Sequence, residues 1–164
     1  MKDVNTNSLI CEPNFKQFSG SGVRFYGGDT LIARISSSLE HGKTAFVWFI
    51  SEKEKGFGST EFFVLHPKEH YLKEFVYLLA KNDDFREVAI NSMSGTSRQR
   101  ADINALKDYI IPIPPSPILQ SFHSLVEPLF QKIILNQKQI MTLKKVRDTL
   151  LPLLVFGKLR LEEI

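Results

Sequence analysis

With 164 residues, 43% of them hydrophobic and 24% charged, the chain is long enough for one globular domain with an appendage and too short for two full domains. A formal net charge of +3 permits nucleic-acid binding without demanding it, so where the charge clusters matters more than its total. One cysteine, Cys11, excludes an internal disulfide, no apolar run approaches the ~18 residues of a membrane span, and the first five residues lack a signal-peptide core, so a soluble cytoplasmic protein is expected.

Residues 1–20 read as irregular from their Asn, Ser, Pro and Gly content. Gly20-Ser21-Gly22 and Gly27-Gly28-Asp29 are turn signals that bracket a short β-rich run, 23–26. Residues 30–35 read as a strand, 36–42 as a polar loop, and 44–50 as a second strand of β-branched and aromatic residues. A charged connection, 51–58, leads to a third strand, 61–65, which Pro67 stops. Short strands with tight turns predict a small, mostly antiparallel sheet. The period then changes. Tyr71, Phe75, Leu78 and Leu79 recur at helical spacing and predict a helix over 70–81, and Phe85, Val88 and Ala89 predict another over 83–93. Ser94-Gly95-Thr96-Ser97 breaks it, and the β-like residues 109–113 run into a proline-rich segment, 112–117, that cannot be helical throughout.

Beyond Pro117, the residues Leu119, Phe122, Val126, Leu129, Ile133, Asn136, Ile140, Leu143, Arg147 and Leu150 stand alternately three and four apart. This is the 3.5-residue period of a coiled-coil seam, interrupted at Asn136 and Arg147. A helix packed on its own domain would show a similar stripe, but residues 117–148 would extend about 48 Å, further than a small sheet domain reaches. Pro128 should kink the run or divide it into two helices. The expected fold class is therefore α+β: a small, mostly antiparallel sheet domain with packed helices over 1–116, then a long C-terminal coiled-coil helix and tail over 117–164.

Motifs for chemistry are sparse. His41-Gly42-Lys43-Thr44 lacks the second glycine of a phosphate-binding P-loop, because Ser37 occupies that position, and Thr44 begins a strand rather than a helix. The histidines show no zinc-like spacing except His66 and His70, and Pro67 between them argues against a helix presenting both, so no metal site is expected. Pro114-Pro115 lacks the flanking residues of an amino-methyltransferase motif, and no pair of carboxylates with a lysine suggests a nuclease. Two basic stretches remain. Residues 91–101 contain Arg98 and Arg100 and no acid, and between Glu127 and Asp148 lie Lys132, Lys138, Lys144, Lys145 and Arg147, again without an acid.

Three stretches in order carry a resemblance. Gly27-Gly28-Asp29-Thr30-Leu31-Ile32-Ala33-Arg34 with Gly42-Lys43-Thr44-Ala45 comes first. Ser94-Gly95-Thr96-Ser97-Arg98-Gln99-Arg100 with Ile110-Ile111-Pro112-Ile113-Pro114-Pro115-Ser116-Pro117 and Gln120 comes second. Leu143, Arg147-Asp148, Leu150-Leu151-Pro152, Leu154 and Gly157-Lys158-Leu159 come third. Together, across 23–160, they resemble the recognition domain and conserved helix of type I restriction–modification specificity subunits. The chain departs from that pattern by holding one recognition domain and one helix rather than two of each, and by starting late in the recognition domain.

The resemblance implies a non-catalytic protein that reads one half of a split site on double-stranded DNA. It implies docking of modification and restriction subunits, with S-adenosylmethionine and ATP held by those partners and no cofactor on this chain. Two copies paired through Phe122, Val126, Leu129, Ile133, Asn136, Ile140, Leu143 and Leu150 would restore the family's layout as a symmetric homodimer. For DNA contact, Thr96, Ser97, Arg98, Gln99 and Arg100 come first, since arginine and glutamine have bidentate partners on guanine and adenine and hydroxyls suit phosphates. Arg34 and Lys43 come second. The competing expectations are that the loop arginines merely pair with acids such as Asp102, and that the chain is an interaction module, a regulator or remnant, that reads no DNA.

Overall fold

A computed structural model of the chain describes Val4 and residues 20–158. The rest of the irregular opening, Cys11, and Leu159 of the third stretch lie outside the described residues. Among the described residues no helix is long and apolar enough to cross a membrane.

The elements follow in order as β1 (Val23–Tyr26), β2 (Thr30–Ala33), α1 (Ser36–Glu40), β3 (Thr44–Phe46), β4 (Lys55–Gly58), β5 (Phe62–Leu65), a 3-10 turn (His70–Leu72), α2 (Lys73–Lys81), α3 (Asp83–Asn91), α4 (Ile103–Lys107) and α5 (Ser116–Val155). The fold is α+β, as the sequence predicts, and every strand pairing is antiparallel. The strands form two sheets rather than one: β2 lies between β3 and β5, and β1 pairs with β4. Because side chains alternate along a strand, β2 serves two cores. Ile32 faces a cluster with Leu39, Phe63, Ala80, Phe85, Ala89, Ala101 and Leu106, while Leu31 joins Phe25, Ala45, Val47 and Phe62 against the smaller sheet. The layers are thus helices, three-stranded sheet and two-stranded sheet.

Several predicted elements are corrected. Residues 36–42 contain the short helix α1, whose single buried side chain, Leu39, leaves no apolar period to read. The expected connection 51–58 ends in β4, Lys-Gly-Phe-Gly, a sequence without β-branched residues. Its glycines serve contact: a Cβ on Gly56 would stand 2.2 Å from the Phe25 ring, so the smaller sheet closes only over bare backbone. The strand expected over 44–50 ends at Phe46, beyond which only Val47 still exchanges backbone hydrogen bonds with Gly28 and Asp29. The β-like residues 109–113 form no strand. The chain instead makes α4 just before them, with the Asp102 carboxylate accepting from the Asn104 N–H as its cap.

The Gly27-Gly28-Asp29 turn has a specific physical content. A Cβ on Gly27 would lie 2.2 Å from the Ile50 carbonyl oxygen, and Gly28 holds φ +85°, a region that favours glycine. Asp29 is buried; its Oδ2 accepts from the Tyr26 N–H at 2.7 Å, and its Oδ1 lies 2.6 Å from His66 Nδ1. The turn thereby binds β1, β2 and the end of β5. Gly27→Ala is expected to destabilise the chain by about 2 kcal/mol or more, since the obstacle is backbone that cannot rotate away. Urea unfolding at a matched slope would measure this, and an unchanged midpoint would contradict the close approach.

Candidate nucleic-acid interface and partner helix

Three separate segments meet at one end of the three-stranded sheet. β2 ends at Ala33, whose N–H donates to the Lys43 carbonyl, and the Arg34 N–H donates to the Glu61 carbonyl at the entry to β5. The loop 94–100 is laid across this end by two isolated bridges, Ile35 with Arg100 and Ser94 with Arg100, and by the Ser36 N–H donating to the Gln99 carbonyl. The loop turns at Gly95, where φ is +112°. Arg34, Lys43, Thr96, Ser97, Arg98, Gln99 and Arg100 therefore share one end of the sheet although 66 positions separate the first from the last.

The side chains differ in how committed they are. Thr96, Ser97, Arg98 and Gln99 are exposed. Arg34 is half-buried, its guanidinium 5.5 Å from the Phe63 ring centre and its Nε donating to the Ala101 carbonyl at 3.4 Å. Arg100 grips the Glu61 carboxylate through Nε and Nη2, the shortest contact being 2.6 Å. Asp102, the acid expected to compete for the arginines, is engaged in capping α4, and Glu61 takes that part instead. No spacing in the sequence signals Glu61.

The Arg100 guanidinium, by direct hydrogen bonding, holds the Glu61 carboxyl below the usual carboxylate range, against a smaller opposing effect of burial. A depressed carboxylate contributes stability at pH values above its unfolded pKa and loses it as pH falls through the folded value. The stability gap between the wild type and Glu61→Gln should therefore be constant near neutrality and close only below the ordinary glutamate range, near pH 4. Chemical denaturation over a pH series checks this. The absence of any gap at neutral pH would mean that the ion pair does not form.

Helix α5 has 40 residues, about 60 Å, and is continuous through Pro128 and Pro152. Pro128 therefore does not divide it. Pro117 sits in its first turn, where a missing N–H costs nothing. The single predicted seam separates into two surfaces. Leu119 is buried, Phe122 stacks edge-on against Phe75 with ring centres 6.5 Å apart, and Val126 packs beside Phe130 and Ile134. Phe130 completes an aromatic trio, with ring centres 5.4 Å from Phe46 and 5.7 Å from Tyr77. Burial pushes the Tyr77 phenol up to about 12, so it stays neutral there. Leu129, Ile133, Asn136, Ile140, Leu143 and Leu150 instead face solvent. The first half of α5 is thus part of the domain, and the outward stripe and the distal half are open.

The chain matches the family described as the type I restriction modification DNA specificity domain over residues 19–145. It is also 52% identical, over 162 residues, to the type I restriction enzyme MjaIX specificity subunit of Methanocaldococcus jannaschii. The chain belongs to the type I specificity-domain family. The match to the archaeal subunit covers 98% of this chain and 35% of that relative, so the chain spans about a third of the relative's length. Specificity subunits are the non-catalytic components of type I complexes.

Within this specificity domain the structure also gathers side chains whose spacing gives no sign of it. His70 on the 3-10 turn, and His123 and Glu127 on α5, place ligand-type atoms within 4.8 Å of one another. Buried Lys73 reaches the same point, with Nζ 3.0 Å from His70 Nε2 and 3.1 Å from Glu127 Oε1. His123 Nδ1 lies 2.7 Å from Oε2 of the fully buried Glu74. The His66–His70 pairing considered from the sequence is not the one that forms: His66 turns to Asp29. His123 and Glu127 lie more than fifty residues from His70, and only the docking of α5 brings them in.

Proposed function

We propose that this chain is a DNA-reading specificity component of a type I restriction–modification system, recognising one half of a bipartite site and docking modification and restriction subunits. The observation that carries this reading is the convergence of Arg34, Lys43 and the exposed 96–99 side chains at one sheet end, together with membership of the family. Arginine and glutamine there have the donors for guanine and adenine edges in the major groove, and Thr96 and Ser97 suit phosphates. The outward stripe of α5, from Leu129 to Leu150, supports pairing with a second helix of its kind. Two copies of the chain would then form a symmetric dimer that reads an inverted repeat with an unread spacer. The lysines of the same helix suit phosphates or the acids of a partner subunit. Methyl transfer, and the binding of S-adenosylmethionine and ATP, belong to those partners in the cytoplasm.

Co-expression with a modification subunit in a methylation-free host, followed by genome-wide mapping of methylated bases, tests the reading. A split, inverted-repeat motif is the expected result. A stable complex without any motif would overturn DNA reading and leave an interaction module that regulates or decoys its partners.

A further inference from the structure

We infer that His70, His123 and Glu127 form a binding site for a divalent transition-metal ion of the zinc class, which ties α5 to the recognition domain. The separations fit: His70 Nε2 lies 4.0 Å from Glu127 Oε1, and His123 Nε2 lies 3.5 Å from Glu127 Oε2. Two ligand atoms of a tetrahedral zinc site, each about 2.0–2.1 Å from the ion, stand roughly 3.3 Å apart, so the three ligand atoms, which all lie within 4.8 Å of one another, close by up to about 1.5 Å to complete the shell. His70 is half exposed, which leaves the fourth position open to water.

The second layer around these ligands is the stronger argument. His70 Nδ1 lies 2.7 Å from Glu52 Oε1, and His123 Nδ1 lies 2.7 Å from Glu74 Oε2. Each carboxylate takes the Nδ1–H, fixes the tautomer and turns the Nε2 lone pair toward the common point, the arrangement that orients metal-binding histidines and raises their basicity. Three carboxylates, Glu52, Glu74 and Glu127, stand around the point against one ammonium, Lys73, so the surroundings favour a doubly charged cation.

Lys73 is the occupant such an ion must displace. Its Nζ bonds both His70 Nε2 and Glu127 Oε1, standing where a cation would. A berth for the displaced ammonium is at hand. Glu74 Oε1 is buried, has no hydrogen-bond partner and lies 3.8 Å from Lys73 Nζ. A movement of about an ångström brings that ammonium within bonding distance. Metal and lysine thus compete for one position, and the lysine's retreat satisfies the orphaned oxygen.

Titration of the metal-free chain with cobalt(II), read by its visible absorption bands and reversed with zinc(II), tests the site. One equivalent should bind. Lys73→Met should bind more tightly, because the competing ammonium is gone, and Glu52→Gln should bind about 10–100-fold more weakly. His70→Ala, at an exposed position that leaves the core intact, should lose the cobalt spectrum, and circular dichroism verifies that its fold survives. Absence of a saturable spectrum in both the wild type and Lys73→Met would overturn the site. So would a spectrum that persists in both His70→Ala and His123→Ala, which would place the ion elsewhere.

Discussion

Replacing Phe130 by alanine is expected to cost about 3–5 kcal/mol, a large share of the 5–15 kcal/mol that holds a domain of this size together. Phe130 is buried and touches Phe46 of β3 and Tyr77 of α2 edge-on, so its removal empties the contact through which the sheet, α2 and α5 meet. Beyond the area lost, the edge-to-face pairs contribute about 0.5–1.5 kcal/mol each. Leu129→Ala, one residue away, is the control. Leu129 is 62% exposed, so its truncation should leave the isolated chain within ~0.5 kcal/mol of the wild type. Denaturant unfolding of both variants at two protein concentrations separates the surfaces. Phe130→Ala should lower the midpoint at either concentration, and Leu129→Ala should act only where chains associate. Equal losses in dilute solution would contradict the assignment of the two faces.

Arg98→Ala should weaken specific DNA binding by the assembled complex by about 1–3 kcal/mol, or roughly 5- to 150-fold, if the side chain reads a base edge. It should leave stability unchanged, because Arg98 is exposed. Arg100→Ala should behave differently. Its guanidinium holds Glu61, so the substitution releases a half-buried carboxylate and disturbs the seating of the loop on Arg34 and Ile35. Loss of DNA affinity should there be accompanied by lower stability, and Glu61→Gln should share the second effect more than the first. Fluorescence anisotropy at several salt concentrations distinguishes base from phosphate contact, since loss of a phosphate contact flattens the salt dependence by about one unit of slope. Affinity and salt slope both unchanged in Arg98→Ala would remove this loop from the interface.

The parts of this fold legible in the sequence were those with a long or alternating apolar signal. β1, β2, β5, α2 and α3 have such signals, and so does α5, where the 40-residue run outweighs the two prolines within it. β4 was not legible because Lys-Gly-Phe-Gly has the composition of a loop, and its strand state depends on Phe25 lying over the glycines. α4 is five residues with one buried side chain, too short for a period. The α5 stripe illustrates a subtler limit. A 3.5-residue spacing fits both a seam between helices and the boundary of a helix docked on its own sheet, and only the fold reveals that Phe122 and Val126 belong to the second. At the sheet end, motif order was enough to nominate Arg34, Lys43 and 96–100. The acid that competes for Arg100 and the cluster at His123 arise from pairings across 39 and 49 positions, which spacing along the chain does not encode.

The aromatic trio at Phe130 has a mechanical consequence. The last buried residue of α5 is Ile134, and the helix continues to Val155, an arm of roughly 30 Å. Such an arm is a lever whose fulcrum is the contact among Phe46, Tyr77 and Phe130. A tilt of about 10° there would carry the far tip roughly 5 Å, more than the rise of one base pair (~3.4 Å). Tolerances at the fulcrum must therefore be finer than those at the tip, which suits buried, edge-on rings better than a layer of flexible aliphatic side chains.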